Sequence, residues 1–168
     1  MASIIGVETL QHTNGTTAAT IDSSGRLLTP ARPRFLVERS SDSSQTATSW
    51  NTVPFDNELF DIGNNYNIST NEWTCPLTGF YQFNYGVRIE AGDAASYHLG
   101  ALWVDGANSG TIHDISYYIS SATEHHSTIQ KSFALNVNAG TVLQLRIVVG
   151  DSSHIIKTRS SFGGYLVG

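Results

Sequence analysis

Chemistry in this chain would first be sought where nucleophiles, imidazoles and carboxylates crowd together. Gly150-Asp151-Ser152-Ser153-His154 places a carboxylate, hydroxyls and an imidazole in one short run. Catalytic triads instead join residues distant in sequence, and a nucleophile elbow needs a strand-turn-helix context. This run falls at a predicted strand-to-strand turn, where Asp and Ser are favoured for their local hydrogen bonding. Glu124-His125-His126 has the donor types of a metal site. Adjacent side chains on a strand point to opposite faces, so one chain cannot chelate through both imidazoles. Three symmetry-related copies near an axis could do so, and a solvated loop rich in His and Ser is the plainer reading. Asp93, Asp105, Asp114 and Asp151 are scattered over predicted loops and read as turn residues rather than calcium ligands. His98 and His113 fall in or beside predicted strands and read as satisfied structural histidines. Cys75 is the lone cysteine; it excludes an intrachain disulfide and reads as a small buried hydrophobe. No zinc-protease helix motif, phosphate loop, dinucleotide-binding glycine fingerprint or EF-hand loop is present. The expectation is a chain that is not an enzyme, with no catalytic residue, metal or cofactor.

The elements that would position any site are strands. The 168 residues are 40% hydrophobic but only 14% charged, a balance that suits an all-β extracellular or virion protein better than a cytosolic enzyme. The net charge of -5 comes without a basic run, which excludes a nucleic-acid surface. No apolar run is long enough for a membrane span. Met1-Ala2-Ser3-Ile4-Ile5-Gly6 lacks the basic and long apolar regions of a secretory signal. Asn14-Gly15-Thr16 and Asn67-Ile68-Ser69 match glycosylation sequons and are treated as chance matches.

Pro30-Ala31-Arg32-Pro33 divides the chain into an arm, residues 1–33, and a domain, residues 34–168. Within the arm, Ala19-Thr20-Ile21-Asp22 and Arg26-Leu27-Leu28-Thr29 flank Ser23-Ser24-Gly25 and predict a short hairpin. So little apolar payload would be ordered only with a partner, either sister subunits or another protein. Beyond Pro33, strands are predicted over 35–38, 57–61, 66–68, 72–75, 79–90, 97–104, 112–119, 128–137, 142–149 and 162–167, separated by Gly- and Asn-bearing turns. This is an antiparallel sandwich of about ten strands. Phe133, Leu135 and Val137 alternate with polar residues, giving one buried face. The strands over 97–104 and 142–149 carry apolar residues on both faces. A second face needs a second cover, from a neighbouring subunit or from a loop of the same chain.

The spacing Phe55, Asp61, Tyr66, Trp73, then Gly79-Phe80-Tyr81-Gln82-Phe83-Asn84-Tyr85, with Ser160-Ser161-Phe162-Gly163-Gly164-Tyr165-Leu166 downstream, resembles the C1q globular domain. Trp73 stands where that family usually has Phe. The resemblance runs from about Arg34 to Gly168 and implies the jelly roll shared with the tumour-necrosis-factor group, assembled as a homotrimer. It also implies that the sheet containing the 79–85 and closing strands faces the threefold axis. Tyr81, Phe83, Tyr85, Phe162 and Tyr165 are therefore the candidate trimer core and interface residues.

Residues 8–33 resemble the short leader of structural proteins of marine bacteriophages. With no collagen-like stalk, this points to a virion protein made in the host cytoplasm: a tail or head fibre tip that binds the host surface. The arm would attach to another virion protein, and loops near 91–96, 105–110 and 120–127 would meet a host glycan or protein. Trp50, Asp105, Asn108, His125 and His126 are the candidate ligand-contact residues; Trp103 reads as core. The alternatives are a capsid decoration protein clamped on by its arm, and a secreted C1q-like lectin or cytokine-like protein acting outside the cell.

Overall fold

A computed structural model describes residues 6–45, 49–91, 97–108, 125–150 and 154–168. The predicted strand over 112–119, Asp93, His113, Asp114, Glu124 and the Asp151-Ser152-Ser153 portion of the Ser/His run lie outside those residues. Every regular element in the described residues is a β-strand. The backbone forms two units, Met1–Arg32 and Pro33–Gly168.

The first unit is a three-stranded antiparallel sheet of β1 (Thr9–Gln11), β2 (Thr17–Ile21) and β3 (Leu27–Leu28). Its second turn is built by one side chain: Asp22 Oδ1 accepts the N–H groups of Ser24 and Arg26, both at 2.9 Å. Gly25 supplies the positive φ of 76° that closes this turn. The predicted hairpin corresponds to β2 and β3. Strand β1 is added because Thr9 and Leu10 pair with Thr20 and Ala19.

The second unit begins with β4 (Arg34–Glu38), β5 (Ser43–Gln45), β6 (Asn51–Thr52), β7 (Asn57–Ile62), β8 (Tyr66–Asn67) and β9 (Glu72–Thr74). It continues with β10 (Gly79–Ala91), β11 (His98–Val104), β12 (Ala107–Asn108), β13 (His125–Val137), β14 (Val142–Val149), β15 (His154–Ile156) and β16 (Ser161–Leu166). The larger sheet runs β5-β15-β10-β16-β4-β7, with β13 along the other edge of β10. The smaller runs β12-β11-β14-β9-β8, and β6 also pairs with β14. All the pairings are antiparallel, giving the jelly-roll sandwich.

Alternation decides which side of β10 enters the core. Tyr81, Phe83, Tyr85, Val87 and Ile89 are buried, while the residues between them point outward. Trp73 meets Tyr81 and Phe83 edge-on at 5.2 and 5.7 Å between ring centroids, and it stacks on Phe35 at 5.2 Å. Phe162 closes the cluster against Phe35 and Phe83 at 5.1 and 6.2 Å. Tyr66 is covered as well, and burial raises its phenol pKa far above the ordinary range. Gly164 is required here, since a Cβ would lie 2.5 and 2.7 Å from carbons of the Phe83 ring. Asp61 acts structurally: its Oδ2 accepts the Tyr66 N–H at 2.7 Å and fixes the turn between β7 and β8.

The second faces of β11 and β14 are covered by the chain itself. Ala101 and Val148, both on that outer face, are buried. The Trp50 ring tilts onto Trp103 at 6.3 Å, and the Arg146 guanidinium lies 3.9 Å from the Trp103 ring centroid. Strand β6 pairs with Arg146 and Ile147. Of the two covers the sequence allowed, the smaller sheet uses its own segment.

Candidate self-association surface

The outward face of the larger sheet is a continuous apolar and polar mosaic. Register sets its rows: Phe60, Leu36, Gly163, Asn84 and Ser132 lie side by side across β7, β4, β16, β10 and β13. The next row is Ile62, Arg34, Tyr165, Gln82 and Ala134, and Phe80 follows Gln82 along β10 on the same face. Phe80, Tyr165 and Phe60 are 48%, 46% and 42% exposed, although the strands of Phe80 and Tyr165 have core on their other side. Between Tyr165 and Phe60 a depression of about 220 Å³ is lined by Arg34, Leu36, Phe60, Asn84, Gly163 and Tyr165. Its floor exists because Gly163 has no side chain: a Cβ would stand 2.8 Å from the Phe35 carbonyl oxygen and 3.0 Å from Leu36 Cδ1. Polar groups punctuate the face, as where Gln82 Nε2 donates to Ser132 Oγ at 2.9 Å.

The interface candidates separate on this geometry. Tyr81, Phe83, Tyr85 and Phe162 are covered by their own chain and form its core, so no second copy is needed to bury them. Only Tyr165 stands on the outward face. Phe162 and Tyr165 are three positions apart on one strand, and that odd spacing sends them to opposite sides. Phe80, Phe60 and Leu36 were missed. The available signal was their parity, since Phe80 is out of phase with Tyr81, Phe83 and Tyr85.

The ligand-contact candidates do not converge. Asp105 caps a turn, with its Oδ1 accepting the Val142 N–H at 2.8 Å and its backbone at a positive φ of 48°. His126 lies on the outward face of β13 opposite Glu90, near the other end of that strand from Val137. Its Nδ1 is 3.7 Å from Glu90 Oε2. His125 opens β13 opposite Ala91, and Asn108 lies in β12 opposite Trp103. Trp50 is half-buried against Trp103 on the smaller sheet, so it is a covering residue more than a free contact. Beside His126, Lys157 Nζ bridges Glu90 Oε2 at 2.9 Å and Asp42 Oδ2 at 2.5 Å. The hydrogen bond from Lys157, followed by one from the Thr158 N–H, holds the Asp42 carboxyl below the usual carboxylate range. Cys75 is buried, with its thiol 3.1 Å from the Leu77 carbonyl oxygen.

Comparison with known proteins agrees with the topology. The globular domain of zebrafish complement 1qA is 19% identical, with a TM-score of 0.58 over 82% of this chain and 98% of that one. Eiger TNF from S. frugiperda is 16% identical, with a TM-score of 0.57 over 81% of this chain and 91% of that one. Murine APRIL is 9% identical, with a TM-score of 0.58 over 81% and 99%. At these identities the likeness is one of fold. The family model described as the C1q domain matches residues 34–167, which is most of the chain and nearly all of the second unit. The chain therefore belongs to the C1q domain family.

Proposed function

We propose that this chain is a non-enzymatic binding module that assembles as a homotrimer through the outward face of its larger sheet. The observation that carries the reading is the exposure of Phe80 and Tyr165, with Phe60 beside them, on a face whose central strands β10, β16 and β4 have already filled a core on the other side. Each aromatic ring has about 150–250 Å² to bury, so three half-exposed rings make a patch of the size that marks interaction sites. The threefold order is carried over from the C1q and tumour-necrosis-factor resemblance. Binding without catalysis is carried over from the C1q domain family to which the chain belongs. Sedimentation of the full chain from nanomolar to micromolar concentration tests it: a trimer is expected, and a monomer throughout overturns it.

In its finer form the proposal places the trimer on a bacteriophage virion, as a tail or head fibre tip whose end loops meet a host-surface glycan or protein. Its support is the resemblance of residues 8–33 to bacteriophage leaders. Labelled antibody should decorate an appendage of the purified particle, and a particle lacking the chain overturns the setting. One observation favours capsid decoration instead: the Met1–Arg32 unit carries its own sheet, as a clamp would. Deleting residues 1–31 separates the two, since a decoration protein loses capsid binding while a fibre tip still binds cells. Recovery of the chain from culture medium, free of particles, would select the secreted alternative.

A further inference from the structure

The sheet of the Met1–Arg32 unit has one apolar face, and none of the unit's described residues covers it. Pairing of Leu10 with Ala19 and of Ile21 with Leu27 puts these four residues on the same side. Leu10, Ile21 and Leu27 are 50%, 37% and 63% exposed. Ala19 is the one buried hydrophobic residue of the described part of this unit. Thr9, Ala18, Thr20 and Leu28 occupy the opposite side. Both turns are well braced by Asn14 and Asp22, which accept neighbouring backbone N–H groups. Bracing alone does not hold such a sheet together, because units below about 40 residues need disulfides, metals or association. The unit has no cysteine.

We infer that this face packs against the same face of sister copies, so that the arms form a second trimeric junction joined to the domains through Pro30–Pro33. The inference rests on the homotrimer reading of the domain. Charge permits it: Glu8 and Asp22 balance Arg26 and Arg32, and the one ionisable side chain that register brings beside Leu10 and Ile21 is Glu8, whose carbonyl accepts the Ile21 N–H at 2.8 Å. The unit has no net formal charge to hold identical copies apart, and Glu8 lies at the end of the face, one residue before β1. Area points the same way. A free partner needs about 800 Å² per side for a stable complex, more than three aliphatic side chains and an alanine supply. Arms tethered to one assembled trimer meet at an effective concentration of about millimolar, where a small contact suffices.

The test uses the full chain with Leu27→Cys, mild oxidation and mass analysis, and with Leu28→Cys as the opposite-face control. Cys75 is buried and does not compete. Disulfide-linked pairs of copies are expected for L27C and not for L28C. Hydrogen exchange in the trimer should show protected β2 amides, with that protection lost in Leu27→Asp while sedimentation stays trimeric. A trimer whose β2 amides exchange freely and whose L27C does not cross-link overturns the arm junction and leaves the domain reading standing. Protection that survives in a dissociated chain overturns it in favour of docking on the same chain. Protection that requires added capsid protein overturns it in favour of a foreign partner. A wild-type chain that sediments as a monomer removes the domain reading, and the junction with it.

Discussion

Removing the Phe80 ring should dissociate the assembly without unfolding the domain. The ring is 48% exposed, which leaves about 100 Å² for a neighbour to cover. At about 25 cal/mol per Å², Phe80→Ala forfeits about 2.5 kcal/mol in each copy. A cyclic trimer repeats the loss three times, for about 7.5 kcal/mol, or about 5.5 decades in the association constant. Because the half-dissociation concentration of a trimer varies as the square root of the dissociation constant, it should rise about 560-fold. Sedimentation velocity across a dilution series reads this directly, and circular dichroism should show an unchanged strand signal in the dissociated chain. The backbone of Phe80 keeps its bonds to Gly168 and Val167 in the variant, so the strand is not released. The matched control is Phe83→Ala, in the same strand but fully buried, which should cost about 3–5 kcal/mol of folding stability. If F80A assembles at the wild-type concentration, the outward face is not the interface. If F80A unfolds as F83A does, the assignment of the two faces is wrong.

Gly164→Ala should destabilise the domain by about 1–3 kcal/mol, because the added methyl meets the Phe83 ring inside a packed core; an unchanged melting temperature would show that the ring can retreat. Trp50→Ala should lower stability by about 1–2 kcal/mol by uncovering Trp103, and leave sedimentation unchanged; loss of assembly would place the interface on the smaller sheet. The Asp42–Lys157 pair predicts a stability plateau with two limbs. Asp42 has a depressed pKa when folded, so its contribution is present above about pH 3.8 and is lost as the pH falls through the folded value. Lys157 has a raised pKa, chiefly from its hydrogen bond to Asp42, so its contribution is present below about pH 10.5 and is lost as the pH rises through the folded value. Asp42→Asn should shrink both limbs in thermal melts, and limbs identical to wild type would assign the pH dependence to other groups.

The long strands were legible because burial writes a period of two into them. Strands β10, β13 and β14 fell close to their predicted spans, and the turn glycines and asparagines marked their ends. The short strands β5, β6 and β15 were not legible. Ser43–Gln45 and Asn51–Thr52 are polar, and only their pairing with β15 and β14 makes them strands. Hydrophobicity cannot report a hydrogen-bonded edge that buries little. The core and interface candidates could not be told apart for a different reason. Parity says that Tyr81, Phe83 and Tyr85 share a face, but whether that face meets a second sheet or a second molecule depends on where β9, β11 and β14 lie. The two-faced strands misled in the same way: Trp50, in a polar stretch, looked like a surface contact and proved to be the cover for Trp103.

These two reversals are linked. Because Trp50 and the Arg146 guanidinium cover Trp103 on the outer side of the smaller sheet from within the chain, that sheet has less apolar surface to offer a neighbour there. Among the described residues the larger sheet has no such cover over Phe80, Tyr165 and Phe60. An assembly that buries the larger sheet would leave the smaller sheet and the ends of the sandwich facing outward. Asp105 lies at one end, where its carboxylate already serves the turn to Val142. At the other end, Asp42, Glu90 and Lys157 gather charge, with His126 beside Glu90, next to the face that sister copies would share. A ligand read by the trimer would therefore meet different chemistry at its two ends: turn backbone and amide groups at one, and a charged rim made of several copies at the other. Charge reversal at Glu90 should alter binding only in the assembled state, whereas a change at Asp105 should act equally in the F80A monomer. The same effect of Glu90→Lys on monomer and trimer would show that the charged rim is not shared between copies.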